Sequence, residues 1–522
     1  MSPLAISRPL PELIPEQEIL YGFVSTVMGP VDHRVWQQQL ERIDDLLKQS
    51  GTEKLFQRLS LAKRDEEELA TSKQEDRKFR ALTPTEQLSY QLLCSQALRC
   101  TVAHTLLGET FRRYSITLTE SPFLHWFCRL DQGGEIWIPG KSALQRYSTW
   151  LPEEQMREVM NELLSAASRP PEGGKQMLKL AAPVDLDSYF LDTTCVKLNI
   201  HFPVDWVLLR DAARTLMKAT MLIRNGGLKA RMEEPEEFLK RMNQLCIKMT
   251  HARRKKDAKR IRKAVLREMK KLSKVIAKHA ERHKDLLEKY WQETDFKEGD
   301  VRQIVGRIGG VLEKLPAAVR QAHERIIGER QVKNEEKILS LYEDHAAVYV
   351  RGKAGAEVEF GSQLLLGECV SGVIVDWELV DGKPEADTKM LKRSLDRMKA
   401  TAVGAAIKEV GGDRGFDSQA NRDLLEAGKV YNGICPKAPS ELKKRMKQER
   451  FVKLQRRRSQ TEARIAVFKN GFLGSPLRSK GHESQAVEVA WNVLAHNLWV
   501  IARQPVAKAK LKKTRLALAK AG

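Results

Sequence analysis

The stretch SYFLDTTCVK, at residues 188–197, decides the fold class of this 522-residue chain. It is short and apolar, and it is rich in β-branched and aromatic residues, which predicts a β-strand. One acid, Asp192, lies within the predicted strand. Asp192 is therefore the first candidate functional residue.

Further strands are predicted downstream of residue 336. The apolar runs lie at 338–341, 347–350, 358–360, 362–366 and 373–380, with a hairpin turn at 352–355. After a helix at about 387–403, a strand ends at Asp413 and another spans 430–434. A basic helix is predicted at about 440–468 and an apolar helix at about 484–503. Strands first clustered and then alternating with helices predict an α/β fold, with a mixed sheet flanked by helices.

Two all-helical regions accompany this predicted core. Residues 1–165 have few strand signals, and a breaker-rich linker follows them. Residues 207–335 form a basic helical insertion. Within it, residues 251–290 carry a net charge of +11, half that of the chain. Apolar residues at helical spacing predict one face of a long basic helix in a helical hairpin: Ile261, Val265, Met269, Leu272 and Ile276.

The net charge of +22 predicts a polyanionic partner, and nucleic acid is the first candidate. We find no apolar run of about 18 residues that could span a bilayer, and no signal peptide is predicted. The seven cysteines include no CxxC pair, which predicts free thiols in a reducing cytoplasm. The basic cluster Arg253, Arg254, Lys255 and Lys256 is a candidate DNA contact. The apolar face of the same helix leaves dimerisation open as an alternative.

Three acids are candidates for chemistry: Asp192, Asp413 and Glu462. Two divalent cations about 3.5–4 Å apart can activate an attacking oxygen and stabilise a leaving one. Such cations need carboxylate ligands. Because Glu462 lies on a strongly basic helix, the residues alone leave open whether it is a metal ligand or an ion-pair partner.

Other residues compete for these roles. Asp205, Asp376 and Asp417 are acids near the candidates or within strands, and we predict surface or capping roles for them. His201 and His496 are predicted to be structural, and Trp491 and Trp499 to pack in the core.

A turn followed by a short basic helix is predicted at residues 138–147, with Ser142 as the capping residue. Lys141 and Arg146 lie on this helix. The pattern fits a helix-turn-helix-like DNA-binding unit. It fits an ordinary surface helix of a bundle equally well.

The chain resembles the DDE transposases of bacterial insertion sequences over about residues 80–505. Arg458, Glu462 and Lys469 match the signature Y-x2-R-x3-E-x6-K in register, while Gln455 stands where the tyrosine is expected. Residues 191–205 are similar to the first-aspartate block of the ISNCY-type enzymes. Residues 412–418 resemble the second-aspartate block, and residues 490–499 resemble the closing helix.

The resemblance implies an RNase H-like catalytic domain at 185–206 and 336–505, split by the insertion at 207–335. By position, Asp192 would bridge two Mg²⁺ ions (or Mn²⁺), while Asp413 and Glu462 would each hold one. Arg458 and Lys469 would contact phosphates. An N-terminal DNA-binding domain at 1–165 would recognise terminal inverted repeats, and residues 506–522 would form a basic tail.

The implied protein is a cytoplasmic, nucleoid-associated bacterial enzyme that works as a homodimer on double-stranded DNA, without a membrane partner. It would cut at the ends of its element and join them to target DNA. Two alternatives remain. One is an RNase H-like nuclease without strand transfer, and the other is a non-catalytic DNA-binding relative, which would be expected to lack one of the three carboxylates.

Overall fold

The computed structural model describes residues 9–15, 31–132, 134–171, 178–252, 254–353, 356–399, 401–474 and 476–506. In these ranges the chain forms a helical front region and a mixed sheet. An all-helical insertion separates the first strand of that sheet from the next. None of the described helices is both long and apolar enough to cross a bilayer.

The front region is helical, apart from one small hairpin of two short strands. Its helices are α1 (Val31–Gln49), α2 (Thr52–Gln74), α3 (Pro84–Leu107), α4 (Phe111–Glu120), α5 (Pro122–Phe127), α6 (Lys141–Tyr147) and α7 (Glu153–Ser168), and its strands are β1 (Asp131–Gln132) and β2 (Glu135–Ile136). A fully buried arginine, Arg99, joins these helices. Its guanidinium contacts Asp44 and Glu53, each at 2.8 Å.

The described residues of the central sheet form six strands. They are β3 (Ser188–Lys197), β4 (Ala347–Lys353), β5 (Ala356–Glu368), β6 (Ile374–Leu379), β7 (Glu409–Gly412) and β8 (Tyr431–Ile434). Their order is β4-β5-β3-β7-β8, and β6 also pairs with β5. β5 runs antiparallel to β3, β4 and β6, whereas β3, β7 and β8 run parallel. The mixed sheet predicted from the sequence is confirmed.

Six further helices accompany the sheet: α12 (Asp387–Met398), α13 (Ala402–Ala406), α14 (Gln419–Ala427), α15 (Pro439–Arg445), α16 (Glu449–Phe468) and α17 (His482–Ala502). Consecutive side chains of a strand point to opposite faces. The Tyr189 hydroxyl bonds the Ser394 hydroxyl of α12 at 2.6 Å, whereas the next ring, Phe190, lies 4.8 Å from the Arg457 guanidinium of α16. Thus α12 and α16 cover opposite faces of the sheet.

The insertion folds around a hydrophobic core of its own. Its helices are α8 (Asp205–Asn225), α9 (Pro235–Ala252), α10 (Ala258–Tyr290) and α11 (Glu298–Ile326). On α10, Val265, Met269 and Ile276 are buried, and Ile261 and Leu272 are partly buried against the same core. The predicted apolar stripe is confirmed, but it packs inside a bundle of four helices rather than a simple hairpin.

Several predicted elements differ from the structure. The run at 338–341 forms no strand; Ile338 and Leu341 instead pack on the core of the insertion. The two strands predicted over 358–366 are one strand, β5. The helix predicted at 387–403 is divided into α12 and α13, and the basic helix at 440–468 into α15 and α16.

Two of the predicted turns lie before α6 and between β4 and β5. The helix α6 is capped by Gly140, so Ser142 lies inside the helix and does not cap it. Ala354 and Gly355 of the predicted hairpin turn lie outside the described residues, although β4 and β5 on either side do pair antiparallel. The basic tail after residue 506 also lies outside them.

Replacing Arg99 by methionine should lower the free energy of unfolding by about 3–5 kcal/mol, because it leaves two buried carboxylates without their common cation. Burial alone would raise the pKa of Glu53, yet Arg99 and Arg129 hold it at about 2, which shows how strongly that carboxylate depends on them. Urea denaturation measures the loss.

The matched control is Lys48→Met. Lys48 also pairs with Asp44, but its side chain is half exposed. Its loss should cost at most about 1 kcal/mol. Equal costs for the two variants would contradict the buried-network interpretation.

Candidate active site

Asp192 lies in the middle of β3, on the face that α16 covers. The backbone N–H of Thr193 donates to its Oδ1 at 2.7 Å. On the same face, Thr194 contacts Lys469 at the end of α16. Asp192 therefore projects into the angle between β3 and α16.

Asp413 follows the last residue of β7, the strand next to β3. Phe190 pairs with Gly411 in parallel register, so continuing that register by two residues brings Asp413 level with Asp192. Neighbouring strands lie about 4.8 Å apart. The Asp413 carboxylate accepts the Gly415 N–H at 2.8 Å, which fixes the turn after the strand. The sheet itself thus brings these two acids together.

Glu462 reaches the same edge from α16. The helix is held to β5 by its neighbour Thr461, whose hydroxyl bonds the buried Glu368 carboxylate at 2.8 Å. The side chain of Glu462 is itself 61% exposed and lies 3.8 Å from Arg458. It is the most solvent-exposed of the three acids.

The pKa of Asp192 shows that the three carboxylates act on one another. Burial raises the pKa of Asp192 to about 6, and the charges of Asp413 and Glu462 add to the rise. The Thr193 N–H and Arg458 oppose it. Since the effect of a charge on a pKa falls with distance, Asp413 and Glu462 lie close enough to Asp192 to act on its charge.

The donor atoms of this site suit a hard divalent cation. All are carboxylate oxygens, which Mg²⁺ and Mn²⁺ prefer, and in the described ranges neither Asp192 nor Asp413 forms an ion pair. No three His, Cys, Asp or Glu side chains of the described residues are already grouped closely enough to hold a metal. The three carboxylates repel one another when no cation is bound. Glu462 is the exposed one, so its side chain has room to turn towards Asp192 and Asp413. The residues fit the ion by the chemistry of their donor atoms.

The signature residues of α16 take different roles. The Arg458 side chain is largely buried, and its Nε has no hydrogen-bond partner among the described residues. Lys469 Nζ donates to the Thr194 hydroxyl and the Cys195 carbonyl, which ties α16 to β3. Gln455, at the position of the expected tyrosine, donates to the Gly433 carbonyl at 2.6 Å and so ties α16 to β8.

The other predicted DNA contacts lie away from the acids, on helices at the surface. Lys141 and Arg146 are exposed on the seven-residue helix α6. Arg254, Lys255 and Lys256 are exposed in the turn before α10, and Arg253 lies outside the described residues. Their contact with DNA stays a prediction.

The competing acids are held in structural contacts. Asp376 is buried and accepts from Ser394, Arg397 and Arg157. Asp205 pairs with Arg325, and Asp417 pairs with Arg422, each at 2.9 Å. With their charges already matched, these acids are less suited to bind a cation than Asp192 and Asp413.

The histidines and tryptophans singled out by the sequence are structural as well. His201 contacts Asp211, and His496 is buried against the Phe468 and Phe472 rings. Trp491 is buried, and the ring of Trp499 lies 5.8 Å from that of Trp36 of the front region at an interplanar angle of 43°.

Sequence reasoning missed one acid beside the site, Asp387. Its Oδ1 accepts from the Thr193 hydroxyl at 2.9 Å. Burial raises its pKa, the Thr193 hydrogen bond lowers it, and the charge of Asp413 raises it further. In the sequence it is an ordinary acid in the first turn of a helix. Only the packing of α12 on the sheet brings it next to Asp413.

Residues 360–498 match a family model described as Transposase DDE domain. The matched segment runs from β5 into α17 and contains Asp413 and Glu462, whereas Asp192 precedes it. No curated protein and no solved structure matched the chain. The match indicates a transposase domain of the DDE class over this segment.

Changing Asp376 to asparagine should destabilise the protein without affecting cation binding. The loss should be about 2–3 kcal/mol, less than for a fully buried pair, because Arg157 and Arg397 keep some solvent contact. Urea denaturation gives the stability, and calorimetric titration with Mg²⁺ gives the affinity. A weaker Mg²⁺ affinity in this variant would make Asp376, rather than Asp413, the second ligand.

Proposed function

We propose that the chain is a DDE transposase that cuts DNA at the ends of its element and joins them to target DNA. The observation that carries this proposal is that the pairing of β3 with β7 brings Asp192 level with Asp413, while Glu462 of α16 acts electrostatically on Asp192. Two of these acids lie within the segment that matches a transposase domain. The resemblance to ISNCY-type enzymes with a YREK signature agrees with it.

The topology of the sheet supports an RNase H-like catalytic domain. Three antiparallel strands continue into the parallel strands β7 and β8, and helices cover both faces. β3 lies between the two parts and carries the first acid. The insertion enters directly after this strand and leaves before β4, so the domain at 185–206 and 336–505 is built from two separate pieces of chain.

The chemistry follows from the carboxylates. Two bound divalent cations, Mg²⁺ or Mn²⁺, would supply a polarised water and stabilise the leaving oxygen. Asp192 would contribute to both ion positions, because both other acids act on its charge. Asp413 would hold one position and Glu462 the other, after turning in from solvent.

Arg458 is the best-placed phosphate ligand. It lies beside Glu462 and acts electrostatically on Asp192, and its Nε is free among the described residues. The part of the Arg458 side chain that is still exposed, 20%, would make a charge-assisted bond to a phosphate oxygen. Lys469 has a different role in this proposal: it holds the end of α16 on β3 and so keeps Glu462 near Asp192.

The basic insertion is the proposed surface for flanking or target DNA. Five exposed cations of α10 follow one face of the helix at spacings of four, three, four and four residues. They are Arg267, Lys271, Lys274, Lys278 and Arg282. Among the described residues they form no ion pair, so counterion release on binding phosphates would favour a duplex there.

The remaining assignments follow the resemblance. The front region would read the terminal inverted repeats, with Lys141 and Arg146 among its contacts, and two copies would act together on DNA at the bacterial nucleoid. The 3′-hydroxyl released by hydrolysis would attack target DNA, so no covalent enzyme intermediate is needed. A nuclease without strand transfer would use the same residues and would give cut but unjoined products.

Asp413→Asn should abolish Mg²⁺-dependent cleavage of element-end DNA, because one cation loses its ligand while the isosteric amide preserves the turn. Gel mapping of cut and joined products measures the effect. Binding of the same DNA without metal should match the unchanged protein. Asp423→Asn, at an exposed acid of α14, is the control and should cut normally. Cleavage that persists in Asp413→Asn would refute the assigned triad.

Neutralising Arg267, Lys271, Lys274 and Lys278 to glutamine should weaken DNA binding and make it less sensitive to salt. Each lost phosphate contact should reduce the slope of log affinity against log salt by about 0.9. The control neutralises Lys240 and Arg302, which already pair with Glu237 and Glu298. An unchanged slope would remove this face of α10 from the DNA interface.

A further inference from the structure

Asp387 approaches the candidate site from the face of the sheet that α12 covers. Its Oδ1 is fixed by two donors from adjacent strands: the Thr193 hydroxyl of β3 at 2.9 Å and the Gln363 amide of β5 at 3.3 Å. The carboxylate is therefore held in one orientation. A carboxylate that only capped or stabilised its own helix would not need donors from two strands of the sheet.

The second oxygen of Asp387 faces the turn that carries Asp413. A Cβ atom at Gly415 would collide with Asp387 Oδ2 and would lie 2.9 Å from Asp413 Oδ1. The two carboxylates are thus neighbours on either side of Gly415. Asp387 forms no ion pair within the described residues; the charge of Lys437 acts on it without such a contact.

We propose that Asp387 is a positioning residue whose charge, held in place by Thr193 and Gln363, strengthens the binding of a divalent cation at Asp413. The inference rests on the proposed function, since it concerns the same cation. Two like charges held this close repel each other, and a divalent cation between or beside them removes that repulsion. The hydrogen bonds from Thr193 and Gln363 keep Asp387 from turning away.

The test is the affinity of the full chain for Mn²⁺, measured without DNA by electron paramagnetic resonance of the free ion. Asp387→Asn keeps the shape and the acceptor for Thr193 but removes the charge. We expect its affinity to fall about tenfold, as for other residues that support metal ligands. Asp396→Asn removes an equal charge from the exposed end of the same helix, where it pairs with Lys399, and should bind as the unchanged protein does.

An Mn²⁺ affinity of Asp387→Asn equal to that of the unchanged protein would overturn the inference. Asp413→Asn, measured in parallel, separates this failure from failure of the proposed function. If Asp413→Asn also binds normally, the cation site itself is wrong. If only Asp413→Asn loses affinity, the site stands and Asp387 has no part in it.

A second pair of variants covers the case in which Asp387→Asn does not fold, as judged by circular dichroism. Asp387→Glu and Asp387→Gln have equal length and differ by one charge. The glutamate variant should bind Mn²⁺ more tightly than the glutamine variant. Equal affinities would contradict a role for the charge, because a purely structural role would affect both alike.

Discussion

The mutual repulsion of several carboxylates, held together at one edge of a sheet, is the constraint on which the rest of this structure depends. Asp192 and Asp413 are brought level by the parallel pairing of β3 and β7. Burial further disfavours the charged form of Asp192 and raises its pKa. Such an arrangement persists only where the surrounding structure holds it firmly.

Helix α16 supplies much of that support. A buried carboxylate, Glu368 on β5, accepts from Thr461 and Arg457 of this helix. Lys469 fastens its end to β3, and Gln455 fastens its middle to β8. The helix that presents Glu462 is therefore fixed to three different strands, while the Glu462 side chain itself is left exposed. Within α16, the residues that fix the helix to the sheet are therefore different from Glu462, whose side chain has room to move.

The sequence predicts the helices and strands more accurately than the contacts between them. The run at 188–197 and the apolar stripe of α10 follow the simple periods of strands and helices, and both were found where predicted. The run at 338–341 was wrong as a strand because its apolar side chains pack on the insertion. Neither the contact of Asp387 with Thr193 nor that of Lys469 with Thr194 could be predicted, because both depend on how distant segments pack and not on local pattern.

Gln455, which stands where the signature has tyrosine, contacts the sheet in this structure. From the sequence, glutamine in place of tyrosine removes an expected DNA contact. In the structure, the amide bonds the carbonyl of Gly433 in β8, next to the strand whose end carries Asp413. The position thus still serves the site, by fixing α16 against the sheet. A helix held by main-chain carbonyls keeps Glu462 within reach of Asp192 and Asp413, and that proximity is what the proposed chemistry requires.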